Sequence, residues 1–121
     1  MRIVVPTPER LLALRLARQR WALRLVDLAG VCEMPALRAL PRVAHPVLGL
    51  AHRHGRIVTV LDLPALLRDD PGEGPESLLL LASPRTHLGL RVRGDLRLTL
   101  PDAGGDEDGP LLRVDLPALL A

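Results

Sequence analysis

Leu11-Leu12-Ala13-Leu14-Arg15-Leu16-Ala17, then Arg18-Gln19-Arg20, then Trp21-Ala22-Leu23-Arg24-Leu25-Val26 is the stretch on which the fold depends. Leu, Ala and Arg favour helices, so propensity alone makes residues 9–25 one helix. The spacing points elsewhere. Leu12, Leu14 and Leu16 alternate with Ala13, Arg15 and Ala17; beyond the polar triplet, Trp21, Leu23 and Leu25 alternate with Ala22, Arg24 and Val26. Residues two apart share a face of a strand, whereas a helix stacks residues three and four apart. Period two on both sides of a polar break predicts a β-hairpin with one buried face.

Downstream, residues 26–34 read as the end of that hairpin plus a short turn. Pro35, Pro41 and Pro46 exclude a long helix across 35–46, because proline removes a donor and clashes with the preceding turn. Arg56-Ile57-Val58-Thr59-Val60-Leu61 is rich in β-branched residues and predicts a strand. It runs into Asp62-Leu63-Pro64-Ala65-Leu66-Leu67, where a capping Asp62 and an early proline suit a short helix. Residues 69–76 read as a loop, and further strands are expected at 77–82, 88–92, 96–100 and 111–114. An acidic, glycine-containing loop is expected at 101–109.

The chain ends on Asp115-Leu116-Pro117-Ala118-Leu119-Leu120, a letter-for-letter repeat of residues 62–67. Two identical strand-to-helix exits suggest two similar sub-barrels; a generic cap and turn made from this chain's commonest residues accounts for them equally. Several short strands with frequent turns predict a small β-barrel or sandwich.

The 121 residues suffice for one compact unit. Trp21 is the only aromatic residue, so the core must be aliphatic. All positive charge is Arg, and Lys and Asn are absent, as GC-rich codon usage would produce. A small β-barrel RNA-binding protein is the main rival reading, but there is no Lys/Arg run and no aromatic platform on which bases could stack. Residues 1–60 carry ten Arg against Glu9, Asp27 and Glu33, a balance of +7, and residues 61–121 carry a balance of −5. If the halves occupy separate faces, the molecule is dipolar and could self-associate; if they interleave, the asymmetry means little. Cys32 is alone, no segment reaches the ~20 apolar residues of a membrane span, and the N-terminus lacks a secretory pattern. A cytoplasmic location is expected.

No reactive constellation emerges. Cys32 sits among apolar neighbours, Ser77 and Ser83 lie outside any nucleophile elbow, and no phosphate-binding loop is present. His52 and His54, two apart on a strand, would share a face and could join His45 or His87 around zinc, yet the spacing is weak for a metal site and solvent-facing histidines are the plainer reading. Asp106-Glu107-Asp108 could attract a divalent ion but reads as a solvated loop. No catalytic residue, metal or cofactor is expected.

Residues Leu11 to Leu67 resemble the CheW family of chemotaxis adaptors. Trp21-Ala22-Leu23 stands where that family has an aromatic residue followed by Ala and Leu or Ile. Pro41 and Pro46 stand in its proline-containing stretch. Gly49-Leu50-Ala51-His52-Arg53-His54-Gly55-Arg56-Ile57-Val58-Thr59-Val60-Leu61-Asp62-Leu63 is similar to its Gly-Val-Val-Asn-Leu-Arg-Gly-x-Ile-x-Pro-Val-Val-Asp-Leu. The second half resembles the family less specifically. The resemblance implies a mainly β fold of two interlocked SH3-like β-barrel subdomains with short helices, residues 9–121 forming one domain after an N-terminal segment 1–8. It implies no enzymatic activity, a chemoreceptor signalling domain as partner, and contact with the regulatory domain of a CheA-type histidine kinase.

Four positions depart from the pattern. His54 replaces an Arg, His52 an Asn, Thr59 a Pro and Gly30 a Glu. An Arg offers carboxylates a planar fork that His lacks, and Arg53, one residue away on a strand, would face the other side. The resemblance therefore implies a specialised paralogue, such as one of a Frz-type gliding-motility pathway, that engages a receptor while coupling poorly to a kinase. The receptor-binding positions it implies are Leu28, Gly30, Val31, His52 and His54, with Leu28 and Val31 serving equally well as core. Gly49 and Gly55 are read as turn-permitting glycines and Asp62 as a helix cap.

Overall fold

In the computed structural model, which describes residues 9–101 and 110–120, the period-two stretch is a hairpin. Strand β1 (Leu11–Arg15) pairs antiparallel with β2 (Arg20–Arg24), placing Leu12 opposite Leu23 and Leu14 opposite Trp21. The alternation is only part of the pattern, since Leu11 and Ala13 are buried as well and β1 is covered on both faces. The second alternation also stops early. Leu25–Asp27 form a single 3-10 turn, and the expected turn at 26–34 is instead mostly strand β3 (Leu28–Glu33).

Strands β4 (Val47–Arg53), β5 (Arg56–Asp62), β6 (Glu76–Leu81) and β7 (Leu88–Arg93) join β3 in one sheet, ordered β3-β6-β7-β5-β4. Strands β8 (Leu96–Thr99) and β9 (Leu111–Arg113) flank the hairpin in the other, ordered β8-β1-β2-β9. The two ends of the chain thus build one sheet and its middle builds the other. The fold is mainly β, as expected, and its two subdomains are these two sheets, with short helices α1 (Leu63–Leu66) and α2 (Leu116–Leu119) after β5 and β9. The halves of opposite charge interleave, so their asymmetry does not make two charged faces. Residues 1–8 and 102–109, with the acidic triplet Asp106, Glu107 and Asp108, lie outside the described residues.

Among the described residues, two clusters fill the interior. The larger one joins Leu12, Leu14 and Leu23 of the hairpin to Leu79, Leu81, Leu90 and Val92 of the five-stranded sheet, with Leu63 and Leu116 entering from the helices. The smaller gathers Ala51, Val60 and Leu78 with Cys32, Met34, Leu48 and Leu80. Strand β6 serves both, Leu79 and Leu81 on one face, Leu78 and Leu80 on the other, which explains its uninterrupted run of Leu. Each fully buried Leu contributes roughly 1.5–3 kcal/mol.

The smaller cluster takes side chains from β3 and β4, the opposite edges of the sheet, so the sheet curls around it. A bulge between Leu28 and Gly30 helps. It turns β3 over, so that Leu28 packs on the larger cluster and Cys32 on the smaller. At the other edge, Gly49 (φ +152°) lies against the Pro35–Pro46 segment, where a Cβ would come within 2.6 Å of the Arg38 carbonyl oxygen. Glycine there permits a close approach, sealed by reciprocal 2.8 Å bonds between Arg38 and Leu50.

A second device was invisible in sequence. Asp69, 9% exposed, accepts from Arg18 N at 3.0 Å, Asp70 N at 2.7 Å and Trp21 Nε1 at 3.2 Å. One carboxylate thereby ties the hairpin turn to the segment after α1.

Candidate functional site

Strands β4 and β5 are joined by His54 and Gly55, with Arg53 opposite Arg56. Both loop residues have positive φ, 49° and 75°, the geometry of a two-residue hairpin turn that follows the natural strand twist. Nothing among the described residues lies within 4 Å of a Cβ built on Gly55, so backbone conformation and not crowding selects glycine. Histidine tolerates the left-handed region better than most side chains.

This turn decides which side chains meet. Because the strand ends at Arg53, His54 no longer obeys period two. Arg53 and His54 line the same cavity, which corrects the expectation that they face opposite sides; His52, exposed on β4, is not among the lining residues. The cavity measures about 320 Å³, with apolar walls from Ala29, Val58, Leu80 and Leu81 and a polar rim from Arg53, His54, Arg56 and Thr86. Ala29 is the residue inside the β3 bulge. The curl of the sheet therefore brings the region after the first hairpin next to the His54 turn, two places that sequence had singled out separately.

The other singled-out residues divide. Leu28 packs against the larger core cluster, and Gly30 faces Leu80, with Leu80 Cδ1 3.9 Å from where its Cβ would be. Val31 is 46% exposed, so Leu28 goes to the core and Val31 to the surface. Ala29, Arg53, Arg56, Val58 and Thr86 were missed as a site. The local signal was a basic, β-branched stretch after a glycine, and nothing in it announced Ala29 or Thr86.

Asp62 requires correction. It occupies the position before α1, but its carboxylate makes no capping bond. It is 7% exposed; Oδ1 accepts from Arg91 at 3.1 Å and Oδ2 from His45 Nε2 at 3.0 Å. Arg91 also reaches Glu76 at 3.1 Å, and Arg93 joins the same Glu76 oxygen at 3.0 Å. His45 is thus a partner of Asp62 and not a free loop residue. The arrangement fastens the Pro35–Pro46 segment onto β5, where Asp62 N also donates to Pro46 O at 2.8 Å.

Among the described residues, no three His, Cys, Asp or Glu side chains stand close enough to hold a metal ion. Cys32 packs on the smaller cluster as a half-buried apolar side chain. No described helix is long and apolar enough to cross a membrane.

Comparison with known proteins bears on this geometry. The model of the CheW-like domain matches residues 10–96, a range that holds every residue lining the cavity. Among solved structures, the chain is similar to the scaffolding protein TtCheW from Thermoanaerobacter tengcongensis, with a TM-score of 0.70 at 19% sequence identity. The superposition covers 82% of this chain and 66% of that one, so the chain spans just under two thirds of its neighbour's length. At that identity the likeness is one of fold. No curated protein matches the sequence.

Proposed function

The chain belongs to the family of CheW-like domains, and from that premise we propose that it is a non-enzymatic signalling adaptor that binds the cytoplasmic tip of a chemoreceptor. Residues 9–121 act as one domain in the cytoplasm, within a chemotaxis or motility pathway. The observation that carries this reading is the cavity at the curled end of the five-stranded sheet, where the β3 bulge meets the His54 turn. An amphipathic receptor helix needs apolar walls flanked by polar groups, and Ala29, Val58, Leu80 and Leu81 beside Arg53 and His54 supply both. Val31, exposed on β3 outside the cavity lining, is a further position offered to the receptor.

Coupling to a CheA-type histidine kinase is the weaker arm of the proposal. Gly30 and His54 stand where the family carries Glu and Arg, so this edge lacks both the acid and the guanidinium fork at those positions. A pull-down with the receptor tip and the kinase regulatory domain, comparing wild type with His54→Arg, tests it. Wild type should retain the tip, and the variant should gain at least several-fold in kinase retention. Equal kinase binding by both proteins would end the claim of weak coupling; no retention of the tip would end the adaptor reading.

A further inference from the structure

We propose that the cavity is a carboxylate-recognition pocket, in which Arg53 anchors an Asp or Glu side chain of the partner protein. The inference rests on the adaptor reading for where the partner comes from, but on Arg53 itself for the chemistry.

Arg53 Nε is buried and has no hydrogen-bond partner among the described residues. A buried donor left unpaired carries its full desolvation cost, so the free molecule holds a group awaiting an acceptor. Among the described residues, the lining contains no acid to provide one. Arg56, directly across the hairpin from Arg53, makes no ion pair with a described residue either, and two facing cations repel. An anion seated between them would pair with the two guanidinium groups and relieve that repulsion, and Nε–H gains an acceptor once the Arg53 side chain turns toward it.

The walls select the anion. Val58 and Leu80 give an apolar surface that a bare phosphate cannot cover, whereas a carboxylate on a peptide brings neighbouring aliphatic side chains with it. No aromatic residue lines the pocket to stack a base; Trp21, the only one in the chain, is tied to Asp69. The fork of Arg against a carboxylate is a short, directional, charge-assisted pair.

The test observes the arginine side-chain Nε–H resonances of the ¹⁵N-labelled full chain, the Arg53 signal being the one missing from Arg53→Lys. Three probes are titrated to their solubility limits: a blocked Leu-Glu-Ala-Leu peptide, its Gln counterpart and inorganic phosphate. The Arg53 signal should move with the Glu peptide and with neither of the others. No movement with the Glu peptide overturns the proposal, and equal movement with phosphate makes the pocket a phosphate site instead.

In parallel, Arg53→Gln should lower affinity for the receptor tip roughly ten- to hundred-fold, the range for losing a charged hydrogen bond. Urea unfolding followed by Trp21 fluorescence confirms that the variant is folded. Tip binding by wild type that is unchanged in Arg53→Gln sinks the anchor and leaves the adaptor reading standing. A response to the Glu peptide without any tip binding sinks the adaptor reading and leaves the pocket. Sedimentation of wild type as a dimer that Arg53→Gln dissociates would assign the pocket to a second copy and overturn the proposal.

Discussion

Asp62–Leu67 and Asp115–Leu120 share every residue, and side by side they separate what a local sequence decides from what its surroundings decide. Both follow a strand, and Asp62 (φ −88°, ψ 102°) and Asp115 (φ −92°, ψ 94°) have nearly the same backbone. Each proline stands in the first turn of a four-residue helix, and Leu63 and Leu116 are buried in the same cluster. The carboxylates then part. Asp115, exposed after an edge strand, accepts from Ala118 N at 3.2 Å and caps its helix. Asp62 ends a strand flanked on both sides, in register with Arg91 on β7 and beside His45. A cap would give the Asp62 carboxylate one backbone N–H, whereas Arg91 and His45 engage both of its oxygens, one of them with a full guanidinium charge, so Asp62 turns to the side chains. The backbone is set locally; the side chain's role is set by the neighbouring strands.

The largest effects should come where the two copies agree. Leu63→Ala and Leu116→Ala each remove a side chain that is 0–1% exposed, and each should cost about 2–5 kcal/mol in urea unfolding followed by Trp21 fluorescence. Near-equal losses would show that both helices close the same core. A mild Leu116→Ala beside a severe Leu63→Ala would reduce the second copy to a surface turn and break the equivalence.

Intermediate effects should appear where the copies differ. Asp62→Ala leaves Arg91, whose side chain is only 26% exposed, with Glu76 alone, and the Pro35–Pro46 segment loses its His45 tie. The expected cost is about 1–3 kcal/mol, against about 0.5–1 kcal/mol for Asp115→Ala, the loss of an exposed cap. Equal costs in the same urea experiment would mean that the ion network adds nothing beyond what a cap supplies.

That contrast also marks how far the sequence could be read. The hairpin was legible because a buried face imposes period two on Leu12, Leu14, Trp21 and Leu23, a rule that needs no knowledge of the partner sheet. Strand β3 was not, since its bulge between Leu28 and Gly30 breaks the alternation that would have announced it. Asp62 reads as a cap because the five residues after it say so, while Arg91 lies 29 residues away. Of the residues lining the cavity, the sequence singles out only His54, through its motif. Ala29 and Thr86 reach it only because the sheet curls, and Arg53 was placed on the wrong side because the strand was assumed to continue through the turn. What failed was each inference that carried a local period across a bulge or a turn, or that read a side chain's role without its distant partners.

The smallest effect offers the sharpest discrimination. Serine caps a helix about as well as aspartate, since a hydroxyl oxygen also accepts from the second or third N–H, but it has no charge to offer a guanidinium. Asp115→Ser should therefore stay within about 0.3 kcal/mol of wild type, whereas Asp62→Ser should lose nearly as much as Asp62→Ala. The pair of serine variants asks one question of identical hexapeptides, charge or cap, and the structure answers it differently at each. Should Asp62→Ser prove as harmless as Asp115→Ser, the carboxylate of Asp62 would be dispensable to Arg91, and Glu76 alone would account for that arginine's place in the fold.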